Sequence, residues 1–186
     1  MKLKYRLLDH PFYQSWNQGT VSQEQLSKYS QSYMELVENM PILWDRAISG
    51  LNSQSELAQE VINDETEHIG LWKKWSEKLM KAESFPRMEE LHNALDAMNP
   101  SELLGAIHSF EVQQPEVAVT KKKGLIEHYG FADKDLTYFD DHMEEQKHIA
   151  FGQKLYNTVS DKKEFEKGFE RGSELFYRAL DNFVEC

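Results

Sequence analysis

Residues 57–79 read LAQEVINDETEHIGLWKKWSEKL. Steps of three and four along this stretch pick out Leu57, Val61, Glu65, His68, Trp72, Trp75 and Leu79, which is the inward stripe of an amphipathic helix. Five of these positions are apolar and two are ionisable. A carboxylate turned into an apolar interior costs several kcal/mol unless it is paired or bound to a cation, so Glu65 and His68 require a shared partner. The stretch thus predicts a helix buried against other helices, and it places a Glu-x-x-His in the interior they enclose.

The same period runs outward in both directions, and no segment alternates with period two between hairpin turns. The class is all-α. A long helix is predicted over 22–50, with Ser22 and Gln25 forming a capping box, Val21 stapled onto Leu26, and a kink at Pro41. Further helices are predicted over 53–80, after Pro86, over 99–123 with Pro100 in the first turn, over 133–159 and over 161–184. A brief segment ends at Tyr129 with Gly130 as its cap. Several antiparallel helices with short connections must bury their stripes against each other, which makes a bundle. No Pro/Gly/Ser-rich stretch divides the 186 residues, so residues 1–186 are expected to form one domain.

Two other stripes repeat the anomaly. Leu104, Ile107, Glu111, Gln114 and Ala118 share a face with Glu111 at its centre; Tyr138, His142, Glu145, Ile149, Gly152 and Tyr156 share another, with His148 on its flank. Glu145-x-x-His148 is a second Glu-x-x-His. Two divalent cations need anionic oxygens to balance charge, and imidazoles leave positions open for O2 or substrate; inward Glu and Glu-x-x-His pairs on facing helices meet that need. Taken singly, each group has an ordinary alternative. His68 or His142 is most simply a core histidine, Glu145 stands in an acidic run (140–145, DDHMEE), and Glu111 has a possible ionic partner in Lys121. A buried ion-pair network therefore competes with a metal site. The first long helix contributes Leu26, Tyr29, Tyr33, Val37, Met40 and Trp44 to the core, while Glu35 and Glu38 point away from that stripe and are not assigned as ligands. His10, His92, His108 and His128 lack comparable partners and are expected to be structural or exposed, though Gln114 and His108 are also candidates for holding ligand side chains in place.

Composition narrows the partners. With 32 Asp+Glu against 21 Lys+Arg and a net charge of −11, the surface repels nucleic acid and anionic membranes. A small molecule, or a side chain of the protein itself, is the expected reactant; a homodimer is compatible with the sequence. The first residues (1–8, MKLKYRLL) lack a signal-peptide pattern and no apolar run reaches membrane length, so a soluble, cytoplasmic protein is expected. The single cysteine, Cys186, has no internal disulfide partner and is poorly placed as a nucleophile.

Several stretches carry a resemblance: His10, Pro11, Phe12 and Tyr13 with Trp16 and Gly19; 22–33 (SQEQLSKYSQSY); 68–72 (HIGLW); 109–115 (SFEVQQP); 124–131 (GLIEHYGF); and Tyr138-Phe139 through His148. On these the sequence resembles the haem-oxygenase-like helical proteins, which include thiaminase II (TenA), pyrroloquinoline-quinone synthase C and dinuclear-iron oxidases. Within them it looks most similar to the CADD-like branch, implicated in making para-aminobenzoate. The resemblance implies a haem-oxygenase-like bundle and an O2-activating oxidase with two iron ions, or manganese or a mixed pair, as cofactor. It puts the metal ligands on Glu65, His68, Glu111, His142, Glu145 and His148. It also implies that Tyr13 stands where a tyrosine is consumed as the source of the aromatic product, with Tyr138 and Lys121 as pocket neighbours. Three departures accompany it: Phe110 replaces a second pocket tyrosine, Glu145 stands where aspartate is usual, and both ligand-bearing helices are shorter between ligands. The alternative, a metal-free TenA-like hydrolase or transferase of a thiamin-related heterocycle, is weakened by Ser32 at the position of the first-helix aspartate and by the lack of a suitable cysteine. A non-catalytic helical binding protein remains a third expectation.

Overall fold

The computed structural model describes residues 1–144 and 146–184, and these residues form helices and turns without a strand. The helices are α1 (Pro11–Gln18), α2 (Gln23–Gly50), α3 (Glu56–Ser76), α4 (Glu89–Asp96), α5 (Pro100–Glu111), α6 (Gln114–Tyr129), α7 (Thr137–Met143), α8 (Gln146–Thr158) and α9 (Lys162–Ala179). Short 3-10 turns flank α1, α7 and the end of α9. No helix of the described residues is long and apolar enough to cross a membrane.

Local chemistry sets most boundaries. Ser22 caps α2 through the complete capping box with Gln25, and the helix continues through Pro41. Ser55, rather than Ser53, accepts from Ala58 N, so α3 is shorter at both ends than its periodicity implies. The 99–123 segment, predicted as one helix, is two. Pro115 has no N–H, and its ring collides with the carbonyl four residues earlier, that of Glu111, so the chain breaks at 112–113 and restarts as α6. Gly130 ends α6 in the left-handed conformation at φ 73°, which glycine adopts without cost. The predicted 133–159 helix is likewise divided into a 3-10 turn, α7 and α8. Periodicity gives no sign of α1, which is capped by the His10 ring accepting from Phe12 N, with Pro11 at its first position and Gly19 at its end.

α5 is the axis of the bundle, with every residue from Ser101 to Glu111 buried. It packs most extensively on α9 and also meets α2 and α8, while α2 lies along α3 and α6 along α7. The α5–α9 approach depends on glycine: a Cβ at Gly168 would stand 1.9 Å from the Glu102 carbonyl oxygen, and one at Gly105 would stand 2.0 Å from that of Phe165. One apolar cluster runs from Leu7 to Phe183 and draws on α1 through α9. Beside it lie buried ionisable side chains from α3, α5, α7 and α8.

Candidate metal centre

The stripe residues meet. Glu65 and His68 on α3, Glu111 at the end of α5, His142 on α7 and His148 on α8 are all buried. Glu65, Glu111 and His148 offer one ligand atom each within 4.8 Å of one another. His148 Nδ1 lies 3.2 Å from Glu65 Oε1 and 3.8 Å from Glu111 Oε2. His68 Nδ1 lies 3.2 Å from Glu65 Oε2, and its ring packs 4.2 Å from that of His142. The sixth expected ligand, Glu145, lies outside the described residues. His148 is deeply inward rather than on a flank, because the break between α7 and α8 resets the helical phase and brings His148, Phe151, Gly152 and Leu155 onto the buried face.

The hydrogen bonds orient these groups. A carbonyl only accepts, so the 2.8 Å contact from His142 Nδ1 to Tyr138 O fixes a proton on Nδ1 and puts the ring's lone pair on Nε2. Burial disfavours ionisation of Glu65, yet the hydrogen bonds and positive charge of His148 and His68 prevail and hold its carboxyl well below the usual carboxylate range. Trp44 adds an indole N–H to Glu65 Oε1 at 3.2 Å. Two carboxylates and three imidazoles in a dry interior form an oxygen-and-nitrogen donor set suited to iron or manganese, and the convergence of Glu65, Glu111 and His148 within 4.8 Å fits a divalent cation.

Beside this group is an aromatic cage. Tyr138 stacks on His142 at 4.1 Å and stands edge-on to Trp72 at 4.8 Å; Trp72 in turn stacks on Tyr33 at 4.4 Å. The Tyr29 ring is 5.4 Å from Tyr33, and its hydroxyl is 3.1 Å from that of Tyr13. Lys121 is buried with its Nζ 4.0 Å over the Tyr33 ring, within 5.8 Å of the rings of Tyr13, Tyr29 and Trp72. Burial pushes the Lys121 ammonium well below its ordinary pKa and raises the Tyr13 phenol, so it disfavours the charged form of each. Tyr13, Tyr33 and Phe110 line a cavity of about 20 Å³.

The remaining candidates fall elsewhere. Glu35 pairs with Arg87 and Glu38 with Lys73, away from the centre. His108 packs against Gly152, Phe165 and Phe169. Ser32 donates to the carbonyls of Lys28 and Pro86. Two residues of the site have no such sequence signal. Trp44 reads as a core aromatic, and Asp64, whose Oδ2 lies 3.3 Å from His148 Nε2, sits in an acidic run that reads as solvated. Only the position of Asp64 one residue from Glu65 could draw notice.

This helical arrangement, with Glu and His side chains converging at its centre, is the haem-oxygenase-like fold. A TenA homolog from Pseudomonas syringae pv. tomato shares it with a TM-score of 0.74 at 12% identity, covering 97% of this chain and 87% of that one. No family model matches the sequence. Its curated relatives are 4-aminobenzoate synthases: the protein from Chlamydia muridarum is 27% identical over 96% of this chain and 85% of its own length. The synthase from Nitrosomonas europaea is 28% identical over 96% and 86%, and that from Chlamydia pneumoniae 26% over 96% and 87%. The fold and the branch of relatives expected from the resemblance therefore both hold.

Proposed function

We propose that this protein is a metal-dependent, O2-using enzyme that forms 4-aminobenzoate from its own Tyr13. The observation that carries the reading is the meeting of Glu65, Glu111 and His148 in a buried group that adjoins the tyrosine–lysine cage through His142 and Tyr138. Similarity to 4-aminobenzoate synthases along 96% of the chain supports the product.

Glu65, Glu111 and His148 would hold one cation, with His68, His142 and Glu145 completing a dinuclear site. Two iron ions, or an iron–manganese pair, would supply O2 activation and electron transfer there. The chain's own residues prepare the reactant. Hydrogen bonding to Tyr29 fixes the Tyr13 ring, and burial keeps its phenol protonated. Burial shifts Lys121 toward its free-amine form, in which it would serve as a base or nitrogen nucleophile. The cavity against Tyr13 and Tyr33 has room for about one water, so the aromatic ring this pocket already contains is a tyrosine of the chain.

Protein grown with ring-labelled tyrosine, purified metal-free and then loaded with ferrous ion in air, should release labelled 4-aminobenzoate detectable by mass spectrometry. Tyr13→Phe should release none. Equal product from fully chelated protein, or labelled product from Tyr13→Phe, would contradict the proposal.

A further inference from the structure

Building on the reading of Glu65, Glu111 and His148 as metal ligands, we propose that Asp64 is a positioning residue that holds His148 through Nε2–H and so presents Nδ1 to the metal. The His148 ring is gripped on both edges by adjacent carboxylates of α3. Its Nε2 lies 3.3 Å from Asp64 Oδ2, while Nδ1 lies 3.2 Å from Glu65 Oε1 and 3.8 Å from Glu111 Oε2. A carboxylate accepts and does not donate, so in the metal-free protein both ring nitrogens can donate, Nε2 to Asp64 and Nδ1 toward Glu65. A cation held by Glu65 and Glu111 would take the place of the Nδ1 proton, while the Asp64 contact keeps the proton on Nε2. Carboxylate–histidine–metal relays work in this way, with the outer carboxylate setting both the tautomer and the ring angle.

Chain geometry makes Asp64 suited to the task. Successive residues of a helix diverge by about 100°, so Glu65 points into the interior while Asp64 runs along the rim. There Asp64 lines a cavity of about 230 Å³ together with Glu67, His68, Asp141, Glu144 and Lys147. Lys147, the neighbour of His148 on α8, donates to the same Oδ2 and keeps the Asp64 side chain turned toward α8. The contact also joins residues 84 positions apart, tying α8 to α3 across the proposed centre. A plain rim ion pair between Asp64 and Lys147 is the competing account. It predicts similar effects from removing either partner, whereas a positioning carboxylate predicts that Asp64 matters far more to the metal than Lys147 does.

The test is titration of the metal-free protein with Zn(II) and Co(II) against a competing chelator. Asp64→Ala should weaken binding by about 10–100-fold with unchanged stoichiometry, its metal-free form remaining folded by circular dichroism. Asp64→Asn, which keeps an acceptor oxygen, should recover part of the loss. Lys147→Met should cost no more than about fivefold, as an exposed ion pair does. In the Zn(II)-loaded protein, long-range ¹H–¹⁵N NMR should show His148 protonated at Nε2 and shifted by metal at Nδ1. Metal affinity in Asp64→Ala within about twofold of the unaltered protein, or a proton on Nδ1, would overturn the assignment of Asp64 while leaving the metal centre intact. Failure of the unaltered protein to bind either metal would remove the centre itself, and the role of Asp64 with it.

Discussion

A histidine buried without a carboxylate beside it behaves differently from the histidines of the metal centre. His108 lies against Gly152, Phe165 and Phe169, and burial pushes its pKa down to about 4. In the unfolded chain the same ring titrates near 6.5. As pH falls through that interval the unfolded state gains a proton that the folded state refuses, so stability declines between about 6.5 and 4 and this contribution is exhausted below. The full effect is at most roughly 3 kcal/mol, taking 1.36 kcal/mol per unit. Urea unfolding of His108→Gln at stepped pH should show a shallower acid limb across that window than the unaltered protein; parallel limbs would contradict the assignment. At this scale much of the centre is legible in the sequence. Glu65, His68, Glu111 and His142 stand out because each interrupts an apolar stripe, and a buried charge is costly enough that sequence seldom places one there idly. Trp44 and Asp64 give no such signal. An indole on an apolar stripe looks like core whether or not its N–H reaches a carboxylate 21 residues away, and an aspartate in an acidic run looks solvated until the helix bearing His148 packs against it.

Elements are legible in kind and less so in extent. The capping box of α2 and the glycine end of α6 are local signals, and both stand where the residues put them. Breaks inside long periodic stretches are harder to see. The one at 112–113 is written in Pro115, while the one between α7 and α8 has neither proline nor glycine to mark it. That second break matters most, since it turns His148 inward. The α5–α9 contact supplies a test at this scale. Gly→Ala inside a helix ordinarily gains about 0.5–1 kcal/mol, but at Gly168 the new Cβ would meet backbone at 1.9 Å, and backbone cannot move aside as a flexible side chain does. Overpacking of this kind costs about 1–3 kcal/mol or more, so Gly168→Ala should lower the melting temperature by several degrees. Gly70 offers a control, because nothing lies within 4 Å of a Cβ there and Gly70→Ala should be neutral or stabilising. An unchanged melting temperature in Gly168→Ala would mean that the two helices are farther apart than described.

Across the whole molecule, two features meet that sequence sets only side by side: buried donors from α3, α5, α7 and α8, and a cage of phenols around one buried amine. They adjoin through the stacked rings of His142, Tyr138 and Trp72. Their proximity arises from the way the helices cross around α5, with the apolar cluster packed around them. Burial serves both halves. It disfavours an unpaired charge on the carboxylates and pulls the pKa of the lysine amine down. The centre's existence is therefore the claim on which the rest depends. Crystals of protein grown with both iron and manganese, measured by anomalous X-ray scattering across the two absorption edges, test it most directly. The prediction is two peaks about 3.5–4 Å apart, the spacing of dinuclear sites, bounded by Glu65, Glu111 and His148 with His68 and His142 alongside. A well-ordered crystal with no anomalous peak among those side chains, or with metal bound only at the surface, would contradict it.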